Sequence, residues 1–372
     1  MKRIYLPLFL FSAILAPVAA QKVDLKIPAK KGDAAVFVYK QNVSQAIDLG
    51  GQQMDMGQAW SQDMSLKVIE VGADGVLTIE VNIARISGSF ELPMMGSVDF
   101  DSKPAADEKD GKKKEEEEEE DDPMGGMGMP NAAALNKAVR AMVGRTFTAI
   151  VDSHGKVKKV DGIQKALEEA KSKSGGGAAM LSSMLSEDTV KQMVEAVFGE
   201  LPKDAIAAGE SWDGEVESDK GRNVPTARKT KLTLAKVDAD KAEIAVAGTV
   251  DMLKPETKKE GDKPKAGEGE EDEAAQARQM MENAKIENGK ITGTISVSRK
   301  DGFVLRSEIK MSMDIKAPSP MGGGDMNIGV TSTTTCERKQ PGDENVKPAT
   351  TGAPAKEEPK KAPEATKPAG GK

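Results

Sequence analysis

The sequence predicts an α+β fold: a curved antiparallel β-sheet, half-barrel-like, packed on a central helical segment, with disordered insertions and a disordered C-terminal tail. Three observations predict it. Apolar and polar residues alternate with period two over long stretches, which gives strands with one apolar and one wet face. The elements run strands, helices, strands, and neither strand group brings a second apolar layer of its own, so one sheet must cover its face with the helices. Runs of charge, Pro and Gly separate these parts and bury too little apolar surface to offset the entropy of ordering.

The strands are read first. Leu77, Ile79, Val81 and Ile83 alternate with Thr78, Glu80, Asn82 and Ala84. The turn residues Val71 to Gly75 precede them, so Met64 to Glu70 is expected to pair back as a hairpin. Thr146 to Val151 and Lys156 to Val160 flank Asp152-Ser153-His154-Gly155 as a further hairpin. Ile244, Val246, Val250 and Met252 alternate after a turn near Asp238 to Lys241. Ile291, Ile295 and Val297 lead into the turn Arg299-Lys300-Asp301-Gly302, and Phe303, Leu305, Ile309, Met311, Met313 and Ile315 continue at period two.

Helices fall in the middle. Asn131 is placed to cap one that carries Leu135, Ala138, Val139 and Met142. Asp161 or Gly162 starts a second with Ile163, Ala166, Leu167 and Ala170. Ser186, with Glu187 and Asp188 in the first turn, starts a third, whose Val190, Met193, Val194, Val197 and Phe198 share one face. Gly199 and Pro202 stop it.

The domain organisation follows. Residues 1–20 read as a signal peptide: Lys2 and Arg3, an apolar run from Ile4 to Leu15 too short to span a bilayer, then Pro17-Val18-Ala19-Ala20 as a small-residue cleavage site before Gln21. Residues 21–336 are expected to form a single β-rich domain with disordered insertions at 103–130 and 255–272, and 340–372 a disordered Lys/Pro/Ala-rich tail. The protein is therefore expected outside the cytoplasm, periplasmic or extracellular, with no transmembrane segment in the mature chain.

Composition narrows the function. A net charge of -7 provides no basic field for nucleic acid, and no nucleic-acid-binding motif is present. His154 is the only histidine and Cys336 the only cysteine, so zinc chemistry, an intramolecular disulfide and a histidine-based triad all lack residues. His154 reads as an exposed turn residue and Cys336 as a small apolar residue on the last strand. Gly175-Gly176-Gly177 lacks the Lys-Ser/Thr of a phosphate loop and reads as a joint. Met124, Met127 and Met129 could offer thioethers to Cu(I), but other Met-Gly pairs make a low-complexity loop the better reading. No metal or other cofactor is expected.

The stretch Arg145-Thr-Phe-Thr-Ala-Ile-Val-Asp-Ser-His-Gly-Lys-Val-Lys-Lys-Val-Asp-Gly162 resembles a domain-of-unknown-function family of exported bacterial proteins. Phe198 to Pro202, Gly209-Glu-Ser-Trp212 and the turn Lys300 to Gly302 extend the resemblance, which covers roughly Ala34 to Cys336. It implies no activity and no site residues.

The expected function is that of a non-enzymatic envelope binding protein, with an apolar small molecule or lipid as partner. The ligand is expected in a groove between sheet and helices, lined by Phe303, Leu305, Ile309, Met311 and Met313 from the strand and Val194 and Phe198 from the helix. The architecture is similar to half-barrel lipoprotein carriers of the bacterial envelope, a likeness of fold only. A structural or adhesion role for the charged tails, and a hydrolase using a carboxylate pair, are the alternatives.

Overall fold

The computed structural model describes residues 22–50, 52–93, 96–103, 132–174, 185–214, 217–219, 226–253, 283–319 and 325–340. The expected signal peptide, both insertions except Lys103, the tail from 341 on, Asn131 and the Met124–Met129 run lie outside the described residues, as does the side chain of Ala170.

The described strands are β1 (Ala34–Leu49), β2 (Gln52–Val71), β3 (Leu77–Leu92), β4 (Gly96–Asp101), β5 (Thr146–Val151), β6 (Val157–Asp161), β7 (Ser211–Asp213), β8 (Glu217–Asp219), β9 (Thr226–Val237), β10 (Lys241–Met252), β11 (Lys285–Ser298), β12 (Val304–Pro318) and β13 (Asp325–Arg338). All belong to one antiparallel sheet in the order β6-β5-β3-β2-β1-β13-β12-β11-β10-β9-β7, with β4 beside β3 and β8 beside β9. The sheet is open. The described helices are α1 (Ala132–Met142), α2 (Ile163–Ser174) and α3 (Glu187–Phe198).

Each hairpin read from the sequence forms. β2 and β3 pair around a short 3-10 turn at Ala73–Gly75, and β5 and β6 around Asp152 to Gly155. The expected β2 segment is longer than its apolar part: the strand starts at Gln52, not Met64. Strands β1 and β13, first and last of those described, pair at the centre of the sheet from Phe37↔Arg338 to Leu49↔Met326.

Alternation gives each strand an inner and an outer face. On β3, Leu77, Ile79, Val81 and Ile83 are fully buried on the inner one. The three helices cover one end of that face. Leu135, Ala138, Val139 and Met142 of α1, Ile163, Ala166 and Leu167 of α2, and Val190, Met193, Val194, Val197 and Phe198 of α3 enter a single hydrophobic cluster with the strands. The Ser186 side chain accepts a hydrogen bond from the Thr189 N–H, so the capping signal acts as read.

An arm before β1 completes the core. Val23 bridges to Ile206, the Ile27 N–H bonds the Ser153 carbonyl, and Leu25, Ile27 and Ala29 are buried. Ile27 lies so close to Gly302, whose φ is +77°, that a Cβ there would meet it at 2.7 Å. Glycine is needed at this turn for both its left-handed backbone and its missing side chain.

Candidate functional site

The register lays the inner face out in rows that run across the strands. Nearest the helices, Phe37 and Met64 are opposite one another, and Val304 is opposite Val297. Phe303 meets Phe37 edge-on at 6.0 Å between ring centroids and Phe198 of α3 at 5.2 Å. Phe303, Phe198 and Val194 are fully buried, so these three expected ligand contacts are parts of a filled core.

The other expected contacts lie further along β12, on rows where no described helix packs. Ile309, Met311 and Met313 are half-buried and rest against the edge of the core cluster. Ile309 lies over Gly293 of β11, where a Cβ would be 2.6 Å from its Cδ1. Leu305 departs from the expected alternation. The pairing runs Ser296↔Arg306 and then Val297↔Val304, so a bulge at Leu305 takes it out of phase. Val304 is fully buried in the place the period-two pattern reserved for Leu305, which is half-buried.

Three further rows make the helix-free half; within them Ile291 and Phe90 still belong to the core cluster, and Ile315 and Val330 are also buried. One joins Ile286, Ile315, Ile328, Ile47 and Met54 across β11, β12, β13, β1 and β2, with Ala317, Met326, Leu49 and Gln52 beyond it. The next joins Met313, Val330, Gln45 and Met56. The third joins Ile291, Met311, Ser332, Val43, Gln58 and Phe90. Behind it come Gly293, Ile309, Thr334, Gln41, Trp60 and Gly88. None of these residues is charged. The sequence reading missed Ile47, Met54, Ile286, Ile328 and Val330, because β1 and β13 carry Gln41, Gln45, Ser332 and Thr334 where an apolar alternation would continue.

Several polar groups also stand on the inner face, among them Arg338, which is opposite Phe37, lies over the Phe303 ring and pairs with Asp301. The Trp60 indole N–H donates to the Gln41 amide oxygen at 2.9 Å, and the Trp60 ring meets Tyr39 edge-on. Gln62, one row closer to the helices between Tyr39 and Ile86, is completely buried, and neither end of its amide has a hydrogen-bond partner. Cys336 shares that row. It is fully buried, and burial pushes its thiol up to about 12, which keeps it protonated and unreactive at neutral pH.

His154 needs a correction. It occupies the turn as read, but it is half-buried rather than exposed. Its carbonyl accepts from the Leu201 N–H, its Nδ1 lies 3.2 Å from the Ser153 hydroxyl, and its Nε2 is buried without a partner. Packing of this turn against the chain after α3 encloses it. Asp152 organises the turn by accepting from the His154 and Lys156 N–H groups and pairing with Lys158. Burial alone would raise its carboxyl, but the hydrogen bonds and Lys158 outweigh that and hold it below the ordinary range.

Two depressions are seen, the first also touching Gln45, Met56, Met313 and Val330 of the second row. One of about 450 Å³ is lined mainly by outer-face residues, among them Ser44, Asp55, Gly57, Glu91, Ser312 and Asp314. The other, of about 200 Å³, lies by the arm at Leu25, Leu201, Val297 and Gly302. Among the described residues no three His, Cys, Asp or Glu side chains are grouped to hold a metal ion, and no helix is long and apolar enough to cross a membrane.

No curated protein matches the sequence. Among solved structures, one of lipid–protein interactions in lipovitellin is similar over 84% of this chain at 8% identity, with a TM-score of 0.41. This chain spans 25% of the length of that one. The outer membrane protein OprG from Pseudomonas aeruginosa matches over 84% of this chain and 100% of its own, at 7% identity and a TM-score of 0.19. A DUF1329 family protein from Desulfovibrio piger matches over 84% and 88%, at 8% identity and a TM-score of 0.11. The family model of DUF6263 matches residues 74–304 and takes in the Phe147 to Gly162 hairpin, α3, Trp212 and the Gly302 turn, so the resemblance read from those motifs holds and the chain belongs to this family of unknown function.

Proposed function

We propose that this is an exported, non-enzymatic envelope protein that holds an apolar ligand against the helix-free half of its inner sheet face, the sheet acting as an open half-barrel. One observation carries the reading. The row Ile286–Ile315–Ile328–Ile47–Met54 continues the apolar inner face across five strands beyond the reach of any described helix. A strand face that needs no ligand or partner there would carry polar residues at those positions, as the outer face does at Lys310, Ser312, Asp314 and Lys316. Met side chains on the adjacent row suit a ligand of variable shape, because the thioether chain repacks at little cost.

In this reading the ligand lies outside the groove expected between α3 and the sheet. Phe198 and Phe303 fill it, and the ligand is assigned to the rows beyond. Export is supported by the three-part leader at residues 1–20. The domain reading goes with it: a single β-rich body over 21–336, with the charged segments as appendages.

Native mass spectrometry of the full chain, produced in a host with a cell envelope, tests both parts. The expected spectrum shows a chain beginning at Gln21 with lipid adducts. Met313→Asp and Ile328→Asp, which place a carboxylate on the rows, should each remove the adduct. A mature chain that retains Met1 would defeat the export reading. A bare wild-type protein, or adducts indifferent to both substitutions, would defeat the carrier reading.

A further inference from the structure

The helix-free half of the inner face is divided side to side, and the division specifies the ligand further. On β11 and β12 the rows are apolar: Ile286, Ile291, Ile309, Met311, Met313 and Ile315. On β1 and β2 three amides interrupt them: Gln41, Gln45 and Gln58. Ser332 and Thr334 of β13 form the border between the two. From β12 to β2 is three strand spacings, roughly 14 Å. An amphiphile lying across the strands would reach from one zone to the other.

We infer that the ligand is a neutral amphiphile, its acyl chain on the β11–β12 rows and its hydrogen-bonding head on the Gln41, Gln45 and Gln58 strip; this rests on the carrier reading above. Three features point to that chemistry. From β11 to β2 the rows carry no charged side chain, and Arg228 of β9, which the register places on the same face opposite Val250, is itself engaged, so a free carboxylate or phosphate would be desolvated on the Gln strip without a cation to meet it. Amides and hydroxyls both donate and accept, as esters and hydroxyls of a glyceride head require. The Trp60 indole fixes the Gln41 oxygen at 2.9 Å, which leaves the Gln41 amino group as an oriented donor. Among the described residues no hydrogen bond engages the side chains of Gln45 or Gln58, and the strip ends in the core at Gln62, whose buried amide is also unpaired.

The test is competition against the neutral fluorescent probe N-phenyl-1-naphthylamine on the full chain at pH 8. The competitors share one acyl chain: monomyristoylglycerol and myristate. The glyceride should displace the probe at a concentration about tenfold below that of myristate, the worth of one or two hydrogen bonds. Gln41→Leu with Gln58→Leu should narrow that ratio to within about twofold, and Gln45→Leu alone should narrow it in part if the double variant does not fold. Lys310→Ala, on the outer face, should leave it at about tenfold. Probe binding with equal competition, with myristate ahead, or with a ratio that survives the Gln substitutions would overturn this inference alone. Failure of the probe to bind at all would overturn the carrier reading and this inference with it.

Discussion

The two ends of the same strands differ in what covers them. Phe303, just before β12, and Val304, at its start, are fully buried, whereas Met311 and Met313, a few residues on, are half-buried with no described helix above them. On β1 the inner face begins with Ala35, Phe37 and Tyr39 in the core and continues with Gln41, Val43 and Gln45 outside it. Strand geometry is continuous through the change, because backbone pairing from Phe37 to Leu49 is unbroken. Only the side-chain chemistry marks the boundary. One end lies under helices and the other under none of those described, and the same ladder runs through both.

The comparison can be broken most directly at the aromatic contact. Phe303→Ala removes the ring that touches both Phe37 and Phe198 and should cost about 3–5 kcal/mol in urea denaturation. A cost near 1 kcal/mol would mean that this end is not the closed core described here. At the boundary, Gln62→Met replaces a buried amide without partners by an apolar chain of similar shape. It should raise stability by about 1–2 kcal/mol, seen as a higher urea midpoint at unchanged slope. A loss of stability would show that the amide is bonded in solution. The smallest effect is expected at the open end. Met313→Ala should cost less than about 1 kcal/mol, because a half-buried side chain leaves little cavity behind. A cost above about 2 kcal/mol would show that something covers this row in the folded protein.

The covered end was readable from the sequence and the open end was not, for one physical reason. Leu77 to Ile83 and Val190 to Phe198 repeat with the period of their element without a break, because every inner position meets apolar atoms. In β1 and β13 the same positions hold Gln41, Gln45, Ser332 and Thr334, so the alternation fades and neither strand was delimited. Local pattern rules weaken where polar residues take inner positions. The bulge at Leu305 and the packing of the arm on Gly302 and Ser153 depend on contacts between distant segments, and no window of sequence contains them. His154 was located but not its enclosure, since the Leu201 backbone that closes over it lies beyond α3. The expected site residues accordingly divide: Ile309, Met311 and Met313 lie on the candidate face, and Phe303, Val194 and Phe198 lie in the core.

The pairing of β1 with β13 has a consequence for how the molecule is made. These strands are about 300 residues apart in sequence and adjacent at the middle of the sheet. A chain emerging from a ribosome or a translocon can zip the β2–β3 hairpin, the central helices and the β9-to-β12 meander as each appears, since those contacts are local. The two blocks cannot be joined until the last strand has emerged, and until then each leaves one edge of paired backbone groups open on β1 and on β12. Closure of so long a loop is slow, and it exposes the unfinished sheet to misassociation in the meantime. Removing β13 would therefore do more than shorten the sheet by one strand: it would leave two half-sheets that, among the described residues, have no other ladder to each other.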